Sequence, residues 1–408
     1  MNRLSAFGLI SMTLLSAQIA SAAGFYLSEV GTPASLGTGG VANPTNTWGP
    51  DAAWTNPAGM TGLKNAAMIA GVQVALPMIK FDPDIAEAGG KDGGQAGDVA
   101  AIPSFFYATP LSNDFSFGFA VTAPLGGGLN YGDDFVGRYQ LQDVSLQGVA
   151  FTPSVGFRVN DRLSIGGGVS VIYTTLEQNI ALRQPGRPDG KVKIKDMSDV
   201  GLQALLGLTY ALTDRALLGL VYRSQTNTEL SGHLKFDKTP LSALGTRSLD
   251  IDWTNPQWAE LGLRYALTDA TKLFFNAGWQ QWSKFSENSM KFQNGAVVKS
   301  DRNWDDTWHA GVAAAHQRGN STWSLGVSYD SSPVKDRDRT FDFPVDETWK
   351  LSASYSVERK DGLNFSLGSS LLMVGDASID QTVQGVRVSG DYKSNLLWLV
   401  GGSLRYDF

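Results

Sequence analysis

The chain contains no cysteine, which excludes a disulfide framework, a thiolate metal site and a thiol nucleophile. Histidine is nearly absent too: only His233, His309 and His316 occur in 408 residues. A hydrolase of the usual kind needs a histidine poised beside a nucleophile or carboxylate, and no serine or acid motif accompanies any of the three. His309 falls on the polar side of an alternating run, while His233 and His316 fall near run ends. Positions in a lumen or at a rim are expected for all three. The spacing of His309 and His316 belongs to no helix that would hold zinc. These absences point to a protein that is not an enzyme and carries no cofactor or metal. Basic blocks are lacking as well: 33 Lys and Arg stand against 39 Asp and Glu, a net charge of -6, which argues against nucleic-acid binding. After residue 22 no stretch approaches the roughly 18 apolar residues of a spanning helix.

What is present begins at the N-terminus. Met1-Asn2-Arg3 supplies a positive start, residues 4–19 are mostly apolar and uncharged, and Ala20-Ser21-Ala22 is a small-residue cleavage site. Residues 1–22 are read as a signal peptide, so the mature chain would begin Ala23-Gly24-Phe25. An exported chain without a spanning helix is either soluble or a β-barrel.

Strict alternation separates these two. Trp349, Leu351, Ala353, Tyr355 and Val357 alternate with Lys350, Ser352, Ser354, Ser356 and Glu358, so one face is greasy and the other polar. Trp323, Leu325, Val327 and Tyr329 repeat the pattern, and Leu396, Trp398, Val400, Gly402, Leu404, Tyr406 and Phe408 form one face at the chain end. Strands of a soluble sandwich average about six residues. These runs approach the length that crosses a bilayer, and several begin or end with Trp or Tyr.

Short polar turns recur at 112–114, 160–162, 213–215, 268–270, 318–320 and 360–362, every 42 to 55 residues. Each interval holds two strands and one longer connection, and the long connections include 81–98, 179–197, 231–249, 287–303 and 331–346. Six short turns join seven hairpins. The reading is an all-β, 14-stranded antiparallel transmembrane barrel over residues 65–408, with short periplasmic turns and long outer loops. A lumen of that width needs a plug. The region 23–64 has no long alternating run and is rich in Gly, Pro, Asn and Thr, so it is placed inside the barrel as an N-terminal hatch. Within 115–128, the run Ala123-Pro124-Leu125-Gly126-Gly127-Gly128 interrupts a strand. Proline lacks the donor a central strand needs, and Gly126, Gly127 and Gly128 present no side chains to seal a wall. Two readings remain open: a lateral gate at Pro124 to Gly128, or a strand end followed by an outer loop.

Patches along the chain resemble the FadL-type outer-membrane transporters of long-chain fatty acids and other hydrophobic compounds. They are Ala23-Gly24-Phe25-Tyr26-Leu27-Ser28-Glu29, Asn56-Pro57-Ala58, Tyr222-Arg223-Ser224, Trp279-Gln280-Gln281-Trp282-Ser283-Lys284-Phe285, Asp330-Ser331-Ser332-Pro333-Val334, Phe343-Pro344 and the terminal Tyr406-Asp407-Phe408. The resemblance implies a hatch-closed barrel in the bacterial outer membrane and passive import. Ligand would be captured among outer loops, held in an apolar pocket beside the N-terminus, and released through a gap in the wall at Pro124. Phe25 and Leu27 are candidate ligand contacts, or else they pack the hatch. Asn56, Pro57 and Ala58 are read as a structural turn anchoring the hatch rather than as ligand contacts. A fatty-acid carboxylate favours a nearby cation. Arg183 and Lys299 are the candidates, but neither matches the family's basic positions, which leaves room for uncharged hydrocarbons. The expected partners are a hydrophobic small molecule and the surrounding outer-membrane lipid and lipopolysaccharide, with the chain a monomer. An aqueous porin, an outer-membrane hydrolase and an adhesive barrel are the rival readings.

Overall fold

The computed structural model describes residues 32–285, 287–359 and 362–408. The expected signal peptide and the residues Phe25 and Leu27 lie outside the described residues. Among those described, fourteen wall strands run in chain order. They are β1 (Ala67–Ala86), β2 (Ala100–Pro110), β3 (Phe115–Asn130), β4 (Asp143–Arg158), β5 (Leu163–Leu182) and β6 (Gly190–Thr213). Then come β7 (Ala216–Arg223 and Thr226–Asp237), β8 (Arg247–Asn255 and Trp258–Ala266), β9 (Thr271–Gln280 and Glu287–Phe292) and β10 (Val297–Asp301 and Thr307–Arg318). The last are β11 (Ser321–Asp330), β12 (Thr348–Val357), β13 (Leu363–Met373) and β14 (Val386–Asp407). Each pairs antiparallel with its sequence neighbours, and β1 pairs with β14 from Ala67↔Asp407 to Ala86↔Val388, which closes the sheet.

Burial is inside out. On β12 Trp349, Leu351 and Ala353 are exposed while Lys350, Ser352 and Ser354 are buried; β11 repeats this with Trp323 and Leu325 out and Ser324 and Ser328 in. A water-soluble protein does not turn its large apolar side chains outward and its lysine inward. Lipid is the solvent this surface matches. Cross-strand aromatic pairs mark the two edges of the apolar band: Trp323 with Tyr355 at 4.4 Å near the short turns and Tyr329 with Trp349 at 5.1 Å near the outer loops. The six residue steps from Trp349 to Tyr355 span roughly 20 Å along the strand, with aromatic rings at both ends of the apolar stretch between them.

Several connections expected to be long loops are strand instead. The loops after β5 and β7 shrink to 183–189 and 238–246, and much of 287–303 is the hairpin Glu287–Phe292 with Val297–Asp301. Two further long connections, 131–142 and 374–385, were not anticipated; the second contains a short strand, Ile379–Val383, paired back on β14. The physical reason is a reversal of polarity with height. Within the band β6 turns Val200, Leu202 and Leu206 outward and Gln203 inward; beyond it Lys191, Lys193 and Lys195 face out and Val192, Ile194 and Met197 face in. Water bathes the outside there, so the apolar set changes sides. Asp196, at φ 56, sits where β6 slips register against β7. A search for one continuous greasy face reads that switch as the end of a strand.

Residues 32–63 fill the lumen as short helical turns, among them Pro33–Leu36, Ala52–Thr55 and Pro57–Gly62, nearly all buried. Inward wall glycines make room for them. A Cβ on Gly219 would lie 1.8 Å from the Pro44 carbonyl oxygen, one on Gly207 2.1 Å from Asn56 Oδ1, one on Gly166 2.4 Å from the Ala58 nitrogen, and one on Gly326 2.5 Å from the Thr38 carbonyl oxygen. Wall arginines then gather hatch carbonyls that would otherwise lack donors. Arg264 donates to Thr45 O at 3.1 Å, Arg405 to Trp48 O at 2.7 Å, Arg158 to Thr61 O, and Arg223 to Trp54 O while stacking 3.8 Å from the Trp54 ring centroid.

This fit is testable. Gly219→Val should force hatch and wall apart and lower stability by about 1–3 kcal/mol. Gly167→Val should be nearly neutral, because the nearest atom to its added Cβ is 3.6 Å away. The temperature at which each folded barrel loses its compact gel mobility measures the difference.

Candidate functional site

Above the hatch the reversed polarity of the wall creates an apolar interior. Inward side chains of the outer wall, including Phe81, Leu146, Leu176, Ile194, Leu234 and Ile251, merge with loop residues in one buried cluster. Breaks in β9 and β10, at 281–285 and 302–306, turn Trp282, Phe285 and Trp304 into it. Phe285 lies 5.0 Å from Trp253 and 4.9 Å from Trp304, ring centroid to ring centroid. A second aromatic group joins Phe81, Tyr131, Phe135 and Tyr392, with the Tyr131 and Tyr392 hydroxyls 2.6 Å apart.

The connection between β11 and β12, residues 331–347, links the two groups. Loops normally run over the surface because their backbone needs water, yet 339–344 is buried throughout. Its polar groups find protein partners instead. Gln140 Oε1 accepts from the Phe341 nitrogen at 2.9 Å, and the Tyr131 hydroxyl donates to Phe341 O at 3.0 Å. Arg339 donates to Asp336, Val345 O, Ser378 O and Val334 O at 2.6 to 3.2 Å and pairs with Asp346. Phe341 enters one aromatic group, 5.0 Å from Phe81, and Phe343 the other, 5.0 Å from Trp304. Between them Asp342 meets Arg302 at 2.8 Å, both side chains only 1% exposed. This inward loop lids the interior. Nearer the rim, Leu234, Phe236, Leu244, Arg247 and Phe292 line an apolar pocket of about 260 Å³.

The wall is interrupted beside this interior. β2 pairs with β3 only from Phe105↔Val121 to Pro110↔Ser116. Farther out the contact resumes where the Asp98 nitrogen donates to Gly128 O at 3.0 Å and Gly97 bridges Leu129. Among the described residues no ladder joins 99–104 to 122–127. The β3–β4 ladder continues, with one extra residue in β3 between Thr122 and Leu125. Ala123-Pro124 is therefore a bulge, and Pro124 has no backbone N–H to donate. Leu125 is buried and belongs to the cluster that also holds Phe106, Ala150, Ile172 and the hatch residue Trp54.

A sequence profile of the family described as "Outer membrane protein transport protein (OMPP1/FadL/TodX)" matches residues 13–408. The chain belongs to this family. It is 22% identical to a long-chain fatty acid transport protein of Escherichia coli, over 98% of this chain and 97% of that protein. It is likewise 22% identical to outer membrane protein P1 of Haemophilus influenzae, over 86% and 87%. Solved structures share the fold. A Pseudomonas aeruginosa FadL homologue superposes with a TM-score of 0.85 at 21% identity over 94% of this chain and all (100%) of that one. The Ralstonia pickettii toluene transporter TbuX gives 0.70 at 17% identity over 94% and 99%.

Within this FadL-family barrel the residues singled out in the sequence are scattered. Asn56 caps the turn Pro57–Gly62: its Oδ1 accepts from the Ala58 nitrogen at 3.2 Å, and its Nδ2 donates to Pro44 O at 2.6 Å and to Leu208 O on β6 at 3.1 Å. That geometry ties the hatch to itself and to the wall. Pro124, Gly126 and Gly127 lie within the interruption, and Gly128 closes its outer end, where Asp98 occupies the space of a side chain. Arg183 is exposed at the rim, donating to Gln384 O and Gly385 O, and Lys299 is exposed on the outer hairpin, so neither reaches the apolar interior. The buried cations Arg302 and Arg339 were missed. Their signal was faint: a charge inside an outer connection reads as solvated unless the connection is known to fold inward. His309 is half-buried in the lumen 3.6 Å from Glu260, His233 faces out beside Asp196, and His316 meets Thr271.

Burial pushes the Asp342 carboxyl from its usual 3.8 up to about 6, against the pull of Arg302 and Thr340. A carboxyl raised on lid closure favours the closed lid when protonated. This contribution is full below 3.8, disappears as pH rises through about 6, and is on the order of 3 kcal/mol. Amide exchange in 339–344, corrected for intrinsic rates, should therefore be faster at pH 7.5 than at pH 4.5. The difference should vanish in Asp342→Asn.

Proposed function

We propose that this outer-membrane barrel admits hydrophobic small molecules passively, with long-chain fatty acids as the leading substrate class, and is not an enzyme. The observation that carries this reading is the apolar interior lying beside an unpaired stretch of the β2–β3 wall. Burying a methylene is worth roughly 0.8 kcal/mol, so a chain of about fourteen gains on the order of 10 kcal/mol in a dry interior. Capture begins in the rim pocket of Leu234, Phe236 and Phe292. Transfer follows into the aromatic interior as the lid yields. Exit runs sideways past Leu125 and the Ala123-Pro124 bulge, because an apolar molecule is better solvated by the bilayer than by the periplasm.

The hatch body is held by arginines on four strands, so release does not require it to leave the barrel. The cheaper device is the segment before Thr32, where Phe25 and Leu27 remain candidate ligand contacts. In this reading residues 1–22 are a cleaved signal peptide, 23–64 the hatch and 65–408 the barrel, working as a monomer within outer-membrane lipid and lipopolysaccharide. Support for fatty acids comes from the relatives named for that transport. A specific observation favours a second class, uncharged hydrocarbons: Arg302 is already neutralised by Asp342, and Arg183 and Lys299 lie outside the interior.

Expression in a bacterium lacking its own fatty-acid importer should restore growth on oleate. Deleting Pro124 brings β3 into register with β4 and should slow uptake several-fold while the purified protein still binds oleate. Uptake unchanged by the deletion would remove lateral release. Toluene entry without oleate entry would select the second class, and ready sugar influx into liposomes would replace the scheme with an aqueous pore.

A further inference from the structure

The Arg302–Asp342 pair does more than stiffen a loop. Asp342 lies between Phe341 and Phe343, so the lid offers Arg302 a carboxylate flanked by apolar bulk. Chemically this is what a long-chain carboxylic acid offers. Among the described residues the guanidinium is used incompletely: Nη2 donates to Asp342 Oδ2 at 2.8 Å, whereas Nη1 donates to the Thr340 hydroxyl at a longer 3.4 Å. Thr340 in turn gives its proton to Asp342 Oδ1. A free carboxylate can take both Nη donors in the parallel fork that arginine prefers. The surroundings suit an alkyl chain, since Arg302 is stacked against Phe343 at 4.7 Å and Phe285 at 5.3 Å with Trp304 and Trp282 beyond.

We propose that Arg302 is a carboxylate-exchange site: the head group of an incoming long-chain carboxylic acid displaces Asp342, and the displaced 339–344 segment withdraws Phe341 and Phe343 from the two aromatic groups. The internal carboxylate thus acts as a stand-in ligand that keeps the interior closed until a true one arrives. Direct loss of Asp342 without replacement would leave a buried arginine unpaired, which is costly; exchange keeps the charge paired throughout. An uncharged hydrocarbon cannot make this exchange and must displace the lid without a replacement for Asp342, so the site separates the two substrate classes left open above. This inference rests on the proposed uptake of hydrophobic compounds.

The test uses the full-length protein in nanodiscs, with oleate and oleyl alcohol as probes of equal chain length and different head group. Oleate should accelerate amide exchange across 339–344, and oleyl alcohol should do so only at markedly higher occupancy. Asp342→Ala removes the internal competitor and its hydrogen bonds and should tighten oleate binding by at least about tenfold and oleyl alcohol binding by much less. Arg302→Met should abolish the preference for oleate over the alcohol, with heat-modifiable gel mobility showing that the barrel has folded. Equal binding of the two probes in the wild type, or an oleate affinity untouched by Asp342→Ala, would overturn the exchange while leaving hydrophobic uptake standing. Failure of the wild type to bind either probe would overturn the uptake reading and the exchange together.

Discussion

In the hydrocarbon of a bilayer no water is available to a backbone N–H or C=O, so each must find a partner within the chain. The rest of this molecule depends on that constraint. It closes fourteen strands through β1 and β14, turns Trp323, Leu325, Trp349 and Leu351 outward, and consigns Lys350, Ser352 and Ser354 to the lumen. It also gives the interruption between β2 and β3 its meaning. An unpaired wall edge is tolerated where the chain offers few donors to strand, as at the Ala123-Pro124 bulge, and where the inner side is shielded by Leu125 and the hatch.

The barrel meets three solvents in turn, and each writes its own polarity on the wall. Facing lipid, the outside is apolar and the inside polar. Facing water above the band, the outside carries Lys191, Lys193 and Lys195 and the inside carries Val192 and Ile194. Facing the hatch, the inside carries neither bulk nor grease but glycines, where a single methyl group would strike backbone, and arginines that donate to hatch carbonyls. The apolar interior is a product of the second regime. It sits above the plug and below the rim, beside the interruption between β2 and β3.

Legibility in the sequence followed this division. Strands in the first regime could be read from alternation and turns, and the six short turns fell where polar triplets marked them. The outer wall could not, because its apolar face reverses at bulges such as that at Asp196, and reversal looks like an ending. Pro124 was visible as an irregularity, but whether it ended a strand or bent one depends on which edge it presents to β2. Asn56 announced a cap through its Pro57 neighbour, and the cap is what the hatch contains.

Least legible were the interior cations. Arg302 and Arg339 are ordinary residues in sequence, both within outer connections where a charge is expected to be solvated. Nothing local distinguishes Arg302 from Arg183 or Lys299. The sequence by itself determined that the chain forms a lipid-facing barrel of fourteen strands, because period-two alternation and turn spacing are local and repeat many times. Only the tertiary structure decided which loops fold inward, which charges meet there and where the wall is left unpaired. Those outcomes rest on contacts between segments far apart in the chain, such as Tyr131 with Phe341, 210 residues away, and no local pattern encodes them.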